Sequence, residues 1–253
     1  FFYGWVIAAA GAVITIMMGP SQTFTVGIFL DAFITDLGIS RANISLIYGL
    51  ATLAASLMLP LTGRLVDRYG PRRMVVIAGL GLGAAAIGMS LVYGILTIFV
   101  GLLALRFLGF GSMQLISTNI VAQWFIRQRG TVMGLVGLSL PVALIVYPTL
   151  AQWLIDQLTW RPAWLVLGVL VWLVTLPVGW FFFKDRPEQY GLHPDGDTDA
   201  MVEARARLAA EENWTLVEAR KTGAFWIFAA ALSTMTLLMA GLVFLAGCGQ
   251  REN

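Results

Sequence analysis

Seven long apolar stretches, separated by short charged segments, constrain this chain more than any other feature of its sequence. They lie at approximately residues 5–30, 43–63, 74–93, 97–122, 131–155, 163–183 and 224–246. Each is long enough to cross a bilayer as a helix, which needs about 20 mostly apolar residues. The runs are continuously apolar rather than alternating with a period of two, and lipid requires internal pairing of every backbone polar group. The pattern therefore predicts an all-α membrane protein with seven spans.

The composition agrees with this prediction, because 58% of the 253 residues are hydrophobic and only 12% are charged. Polar residues are too scarce to cover a water-soluble globule of this size, which argues against a soluble enzyme or a nucleic-acid binder. The single cysteine, Cys248, excludes a disulfide within the chain, and the single histidine, His193, argues against a histidine-based metal site. We therefore expect no metal and no cofactor.

Basic residues are distributed unevenly between the two sets of loops. The loops after spans two, four and six carry twelve of them, whereas the loops after spans one and five carry only Arg41 and Arg161. Loops rich in lysine and arginine stay on the cytoplasmic side of a membrane. We therefore predict a multi-pass protein of the inner cell membrane with a cytoplasmic amino terminus.

A long polar segment divides the predicted chain. We expect a six-span transmembrane bundle over residues 1–183, a cytoplasmic linker with an amphipathic helix over 184–223, a seventh span over 224–247 and a tail over 248–253. The linker opens with a stretch rich in Pro, Gly and Asp, which is typical of turns, and residues 215–218 have the pattern of a capping box. We expect the seventh span to begin a second bundle that is missing, and the tail to be non-native.

The first six spans contain an internal echo at a separation of 89 residues. Residues 65–72, Leu-Val-Asp-Arg-Tyr-Gly-Pro-Arg, align with residues 154–161, Leu-Ile-Asp-Gln-Leu-Thr-Trp-Arg, so that Leu, Asp and Arg recur in step. The first copy follows span two and the second follows span five, on opposite sides of the membrane in the predicted orientation. An inverted repeat of three plus three helices, a feature of transporters, would produce this pattern.

The segment around the first copy resembles a family motif. Residues 63–73, Gly-Arg-Leu-Val-Asp-Arg-Tyr-Gly-Pro-Arg-Arg, are similar to the loop motif between spans two and three of the major facilitator superfamily of secondary transporters, with Pro71 where a basic residue is commoner. Further resemblance to that family lies in residues 106–111, 124–130 and 160–164. Within the superfamily, three segments resemble the branch of oxalate/formate antiporters and monocarboxylate transporters: residues 3–5, 24–29 and 185–196. The family has twelve spans in two bundles, so the resemblance covers its amino-terminal half and the start of span seven.

This resemblance implies transport of a small organic anion, a mono- or dicarboxylate, by alternating access, as an antiporter or as a symporter with a coupled proton. It also implies a cytoplasmic gate motif that latches the two bundles when the cavity faces outward, formed by Gly63, Asp67, Arg68, Gly70, Arg72 and Arg73. Chemically, Asp67 can pair with a nearby arginine, such as Arg72 or Arg127, and can cap a neighbouring helix. Gly70 and Pro71 predict a tight turn, with Pro71 at the first position of the next helix.

Polar residues within the spans form a second set. Arg106 is a charge deep in span four, where a cation costs at least about 2.5 kcal/mol on insertion scales, so a compensating role is expected. Ser117 lies eleven residues further on, almost three turns, and Gln114 is near it. Two roles stay open for this stripe: to line a water-filled cavity that attracts a carboxylate, or to hold spans together through Arg106 and backbone carbonyls.

Span one also carries polar residues, because Thr15 and Gln22 are seven positions apart, and Pro20 between them predicts a break or bend. Tyr48 and Tyr147 are candidates to offer hydroxyls to an anion, although each also suits an interface anchor. The predicted cavity lining is therefore Thr15, Gln22, Tyr48, Arg106, Gln114, Ser117 and Tyr147. Packing surfaces are predicted at Gly79, Gly81, Gly83, Gly130 and Gly134.

Two other classes of membrane protein are excluded because the spans lack the residues that their chemistry needs. A retinal receptor needs a lysine in its last span, but Lys184 and Lys221 both lie in the linker, and an intramembrane protease needs catalytic groups that the span interiors lack. We therefore expect no enzyme. Two alternatives stay open: a transporter of the same type for drugs or sugars, and a non-transporting half-transporter that binds a membrane partner. The expected partners are a small organic anion, a coupled proton, membrane lipids and the missing carboxy-terminal bundle, with no nucleic acid.

Overall fold

The computed structural model contains only helices as regular structure in the residues that it describes, which are 2–197, 220–228, 230–231 and 233–234. The chain divides into two units, Phe1–Thr198 and Asp199–Asn253. In the second unit, residues 220–221 and 223–228 are helical. The predicted amphipathic helix of the linker, the capping box at 215–218, most of the seventh span and the tail lie outside the described residues. Where the chain is described, the all-α prediction is confirmed.

Span one consists of two helices rather than one. Helix α1 covers Gly4–Met17, a turn of 3-10 helix covers Gly19–Ser21, and helix α2 covers Thr23–Leu37. Pro20 lies in this turn, where its missing N–H interrupts the helical ladder. The break predicted at Pro20 is therefore confirmed, but the span continues well beyond its predicted end at residue 30.

Helix α3, Arg41–Tyr69, forms span two and takes in most of the predicted gate motif, so residues 63–69 are helical rather than a loop. Gly70 then has a φ of 83°, which a glycine adopts without strain, and the helix ends there. Helix α4, Pro71–Met89, begins immediately afterwards with Pro71 at its first turn. Both the turn and the position of Pro71 agree with the prediction from the sequence.

Span four changes its winding at mid-length. Helix α5, Ile95–Leu105, passes into a π-helical segment, Arg106–Met113, and then into helix α6, Gln114–Trp124. Span five consists of α7, Arg129–Gly137, and α8, Ser139–Leu158, and span six is α9, Trp160–Pro177, followed by a π-helical segment, Val178–Phe182. The linker starts with 3-10 turns at Pro187–Tyr190 and Pro194–Gly196.

Five helical segments in the described part of the chain are long and apolar enough to cross a membrane: Arg41–Tyr69, Pro71–Met89, Ile95–Trp124, Arg129–Leu158 and Trp160–Phe182. Span one is not among them, because its break leaves Gly4–Met17 as a shorter apolar helix. The chain is therefore an integral membrane protein.

The internal echo corresponds to a structural repeat. A shift of 89 residues moves the start of α4 at Pro71 onto the start of α9 at Trp160. The same shift moves the break at Gly19–Ser21 into the π-helical segment Arg106–Met113, so the first span of each repeat is irregular at the same place.

The third helices of the two repeats, α4 and α9, pack against each other. A Cβ built on Gly83 would overlap the Trp172 indole, and one built on Gly168 would lie 2.7 Å from Cγ1 of Ile87. Moving along α4 from Gly83 to Ile87, the contacted residue on α9 changes from Trp172 to Gly168, which has a lower number. The two helices are therefore antiparallel, as an inverted repeat requires.

The predicted packing glycines behave in two ways. Added Cβ atoms on Gly79 and Gly81 would press on Thr175 and Leu108, which confirms close packing there as it does at Gly83. At Gly130 and Gly134, no described atom lies within 4 Å of the added Cβ, so the packing predicted for those two glycines is wrong within the described part of the chain. The physical reason is that α7 has few described neighbours along that face.

Candidate functional site

Arg106 lies in the middle of the bundle with 8% of its surface exposed, at the start of the π-helical segment. Its Nη1 donates a hydrogen bond of 3.2 Å to the carbonyl oxygen of Ser21. In an unbroken helix that carbonyl would accept the amide of Thr25, but the Thr25 amide donates to Gln22 instead. The break at Pro20 therefore creates the acceptor that Arg106 binds, and the expected contact between Arg106 and a backbone carbonyl is present.

Two aromatic rings flank the Arg106 guanidinium. Its Cζ lies 4.4 Å from the ring centroid of Phe110 and 5.3 Å from that of Tyr48, within the range of cation–π attraction. The Nε of Arg106 has no hydrogen-bond partner among the described residues. A guanidinium has five N–H donors, so this buried cation retains donors for a ligand.

Ser117 and Thr15 form a separate contact between spans four and one. The Ser117 hydroxyl donates to the carbonyl of Gly11 at 3.0 Å, and the Thr15 hydroxyl donates to the same carbonyl at 2.9 Å. The two hydroxyl oxygens are 3.3 Å apart, and both side chains are buried. Arg106 and Ser117 both bind span one, Ser117 at Gly11 before the break and Arg106 at Ser21 within it. Because each hydroxyl has one hydrogen, this contact joins the two spans and leaves neither donor free.

Thr15 and Gln22 do not share a helix face, contrary to the prediction. Gln22 follows the break with an extended backbone, φ −79° and ψ 148°, so the helical count of seven residues does not apply across it. Gln22 is 6% exposed, and its Nε2 has no partner among the described residues. Tyr48 turns its ring to Arg106 and its hydroxyl to Oγ1 of Thr23, 2.7 Å away.

Tyr147 lies with its ring against the break in span one. Only 1% of its surface is exposed, and its hydroxyl donates to Sδ of Met17 at 3.8 Å, a weak acceptor. Gln114 begins α6 and is half-buried, with its carbonyl accepting the Thr118 hydroxyl at 2.9 Å. The structure thus gathers Gln22, Tyr48 and Arg106 around the break, with Tyr147 packed against the same turn.

Sequence reasoning missed several hydroxyl groups that support this region. The Thr25 hydroxyl donates to the Gly19 carbonyl at 2.7 Å, and Thr62 on α3 lies 2.9 Å from the Ser112 hydroxyl in the π-helical segment. A signal for them exists, since small hydroxyl residues in apolar spans commonly bind across helices or satisfy carbonyls freed by a proline.

The gate motif lies at the end of the bundle where α3 ends and α4 begins, which we call the arginine-rich end. Asp67 is exposed there and makes no ion pair with another described residue. Arg72 binds instead within the bundle, donating from Nε and Nη2 to the Trp180 carbonyl at 3.1 and 2.8 Å. No described atom lies within 4 Å of a Cβ built on Gly63, so this glycine of the motif is not needed for close packing against the described residues.

At this end of the bundle, two carboxylates of the linker, rather than Asp67, accept hydrogen bonds from backbone amides at the amino ends of helices. Asp185 accepts the Arg72 amide at 2.8 Å, at the start of α4. Asp195 accepts the amides of Ile126, Arg127 and Gln128 at 2.9, 2.6 and 3.2 Å, just before α7. Negative charge is favoured at a helix amino terminus because unpaired N–H groups and the helix dipole both point toward it.

The start of the linker folds over the arginine-rich end. Together with the predicted gate residues Asp67, Arg68, Gly70 and Arg73 it lines a cleft of about 310 Å³, to which it contributes Asp185, Arg186 and Gln189. Lys184 lies over the ring of Tyr3, 3.9 Å from the centroid. Burial raises the pKa of the Tyr3 hydroxyl, and the nearby Tyr190 raises it further.

No three Asp, Glu, His or Cys side chains in the described residues are placed to hold a metal ion.

The sequence model of the Major Facilitator Superfamily matches residues 4–248. The uncharacterized MFS-type transporter YhcA of Bacillus subtilis is 27% identical over 184 residues, which is 72% of this chain and 34% of YhcA. The multidrug transporter protein MdtP of Bacillus subtilis is 26% identical over 173 residues, 67% of this chain and 30% of MdtP. Monocarboxylate transporter 2 of Mesocricetus auratus is 30% identical over 175 residues, 66% of this chain and 34% of that protein. The chain spans about a third of the length of these curated relatives.

Proposed function

The chain belongs to the Major Facilitator Superfamily, and from that premise we propose that it provides the first six-helix bundle of a secondary transporter for a small organic anion. The family assignment also agrees with the expectation that the chain is not an enzyme. The substrate in this proposal is a mono- or dicarboxylate, moved by alternating access in exchange for a second anion or together with a proton. The observation that carries it is the buried guanidinium of Arg106 at the break in span one.

Arg106 suits a carboxylate for three physical reasons. Its planar fork offers paired N–H donors that match the two oxygens of a carboxylate. In the described structure one carbonyl, that of Ser21, and two aromatic faces occupy only part of its bonding capacity. Its location away from water strengthens attraction to an anion, because the local dielectric constant is low. Gln22, whose Nε2 has no partner among the described residues, lies at the same break and supplies a neutral donor.

The carboxylate site in this proposal lies between this bundle and a second one. Spans two and five expose rows of large apolar side chains, among them Leu46, Leu53 and Leu57 on α3 and Leu144 and Ile145 on α8. Exposed apolar surface of this extent fits either lipid or a protein partner. We assign the cavity-facing part of it to a second bundle, which in this proposal begins with the predicted seventh span at 224–247 after the linker at 184–223.

The proposed orientation places the arginine-rich end in the cytoplasm of the cell, with the amino terminus inside. In this arrangement Asp67 and Arg68, both exposed, are the gate residues that meet the second bundle. Arg72 is already bound to the Trp180 carbonyl, so we assign it to the bundle itself rather than to the latch.

Ligand-dependent stability of the purified chain tests this proposal. Oxalate, formate and lactate should raise its thermal midpoint in detergent, whereas glucose should not. Arg106→Gln should abolish the increase, and Arg64→Gln, at an exposed arginine of α3 outside the gate motif, should retain it. An unchanged response in Arg106→Gln would contradict the assignment of Arg106 to the anion. Uptake of the same labelled carboxylates into vesicles containing the chain then tests transport directly.

Two alternatives give different results in the same experiments. A drug transporter, as the name of the relative MdtP suggests, would be stabilised by lipophilic compounds and not by carboxylates. A non-transporting half-transporter is suggested by the exposed apolar faces of α3 and α8, and it would give no uptake without a membrane partner. Uptake by the chain alone would exclude that second alternative.

A further inference from the structure

We propose that Tyr147 of span five and Gly19 of span one form a packing pair that holds the break in span one and thereby places the Ser21 carbonyl for Arg106. Tyr147 is then a positioning residue, not a group that binds substrate. This inference rests on the proposed function only in its last step, because Arg106 is the anion-binding group there. The packing itself can be tested without any ligand.

The first observation is that the Tyr147 ring occupies space that only a glycine leaves open. A Cβ built on Gly19 would overlap three ring atoms of Tyr147, and both residues are buried. The Tyr147 hydroxyl, in contrast, reaches only the thioether of Met17 at 3.8 Å. The ring therefore makes the strong contact, and the hydroxyl contributes little to it.

The second observation is that each partner lies beside a proline. Pro20 follows Gly19 in the 3-10 turn, and Pro148 follows Tyr147 inside α8. A proline has no N–H to donate, so each segment lacks one backbone hydrogen bond close to the point where the two meet. A ring packed against the turn in span one fixes the position of that turn relative to α8.

The third observation is that the turn is also held from span four. A Cβ built on Gly109 in the π-helical segment would overlap the Ser21 side chain. The Gly19 carbonyl accepts the Thr25 hydroxyl at 2.7 Å, and the Met18 carbonyl accepts the Ser21 hydroxyl at 2.7 Å. These carbonyls are satisfied locally, whereas the Ser21 carbonyl accepts from Arg106. A side chain on Gly19 would push the turn off Tyr147 and shift that acceptor.

Spin-label distance measurement tests the packing. Labels at Ala9 on α1 and Thr35 on α2, both exposed, report the bend of span one in a Cys248→Ser background. Gly19→Ala should shift the mean distance or broaden its distribution, because the new methyl group displaces the turn that joins the two helices. Gly27→Ala is the matched control, since no described atom lies within 4 Å of its added Cβ.

Substitutions at Tyr147 separate the ring from the hydroxyl. Tyr147→Phe should leave the distance distribution unchanged, and Tyr147→Ala should alter it. In the double variant Gly19→Ala with Tyr147→Leu, the smaller side chain should make room for the new methyl group and bring the distribution back toward that of the original chain. If Tyr147→Phe alters the bend, or if Gly19→Ala and Gly27→Ala give the same distribution, the packing pair is wrong. Should Gly19→Ala not fold, the Tyr147 variants alone decide the question.

Coupling to Arg106 tests the final step. If the pair places the Ser21 carbonyl, Arg106→Gln should destabilise the original chain and the Gly27→Ala variant equally, but the Gly19→Ala variant by less, a coupling of about threefold or more in the unfolding equilibrium. Full additivity of Gly19→Ala and Arg106→Gln would overturn the step. A chain that shows this coupling but is not stabilised by carboxylates would contradict the proposed function and leave the packing pair standing.

Discussion

Two helix junctions at opposite ends of the bundle have the same backbone but different residues. At the arginine-rich end, Gly70 joins α3 to α4 with φ 83° and ψ 153°, and at the other end Thr159 joins α8 to α9 with φ 83° and ψ 165°. The Gly70 amide donates to the Val66 carbonyl at 2.9 Å, and the Thr159 amide donates to the Ile155 carbonyl at 3.0 Å. The echo in the sequence therefore marks one turn that is built twice.

The arginines that recur in the echo also bind alike. Arg72 donates to the carbonyl of Trp180 at the end of span six. Arg161 donates from Nη1 to the carbonyls of Ser90 and Val92, both at 2.9 Å, just after the end of span three. The last carbonyls of a helix lack partners within it and attract cations. Each arginine thus clamps the start of one span of the antiparallel pair to the end of the other, and we call both the clamp arginines.

The junctions differ in the residue at the turn and in the acid beside it. A side chain is disfavoured at φ 83° and ψ near 160°, a region that is essentially confined to glycine, so Thr159 is strained where Gly70 is not. At Gly70 the nearby acid, Asp185, accepts a backbone amide, whereas at Thr159 the acid, Asp36, pairs with the Arg161 side chain at 3.2 Å. The backbone turn and its arginine are therefore the repeated unit, while the acidic partners are particular to each end.

Removing a clamp arginine should have the largest effect. Arg72→Ala and Arg161→Ala each delete two hydrogen bonds between a guanidinium and backbone carbonyl groups. Hydrogen bonds to charged groups contribute about 1.5–3 kcal/mol each when buried, and less when exposed, so we expect a loss of about 2–4 kcal/mol in the free energy of unfolding. Thermal unfolding of the purified chain in detergent, followed by tryptophan fluorescence, measures this loss.

Arg41→Ala is the matched control for the clamp at Arg161. Among the residues that the structure describes, Arg41 pairs only with Asp31, and both side chains are about half exposed, so the variant should lose no more than about 0.5 kcal/mol. If Arg161→Ala were as mild as Arg41→Ala while Arg72→Ala was not, the two clamps would not be equivalent.

Substitution of Gly70 should come second. In Gly70→Ala the new Cβ has an unfavourable backbone conformation and lies 2.6 Å from Oδ1 of Asp185, which must move away from the Arg72 amide. We expect a loss of about 2 kcal/mol, measured by the same unfolding transition. Gly63→Ala, which meets no described atom within 4 Å, should be neutral or slightly stabilising. Equal stability of the two variants would show that the Gly70 turn is not under this constraint.

The substitution Thr159→Gly should have the opposite sign. It relieves the strain of a β-branched residue at positive φ, and a gain of about 1 kcal/mol is expected after allowance for the greater freedom of glycine in the unfolded chain. An increase in the midpoint of unfolding would support the equivalence of the two turns. A decrease would mean that the Thr159 side chain makes a contribution larger than its backbone strain.

Substitutions of the acidic partners, Asp36 and Asp185, should change the free energy of unfolding least, and the two changes should respond differently to salt. Asp36→Asn weakens a partly exposed ion pair and should cost about 0.5 kcal/mol or less, a cost that disappears as salt rises to about 1 M. Asp185→Asn keeps an oxygen that can accept the Arg72 amide but loses the charge at the start of α4, so about 0.5–1 kcal/mol is expected. Unfolding at low and high salt measures both, and a salt-independent cost in Asp36→Asn would contradict a simple surface pair.

Features that depend on residues adjacent in the chain could be predicted without coordinates. Apolar length predicted the spans, because each spanning helix must pair its own backbone groups in lipid. Pro20 predicted the break in span one, and Gly70 with Pro71 predicted the turn between α3 and α4, because glycine and proline act on the local backbone. The repeated Asp and Arg predicted the inverted repeat, since recurrence at a fixed separation is visible without coordinates.

Contacts between distant segments could not be predicted in this way. Asp185 and Asp195, rather than Asp67, hold the helix amino ends, and they come from a linker far along the chain. Arg106 binds the Ser21 carbonyl because the break frees that oxygen and span four changes its winding beside it. Tyr147 packs its ring into the same break instead of presenting its hydroxyl. The physical reason is that such contacts depend on the distance and direction between segments that are far apart in sequence, which local composition does not specify.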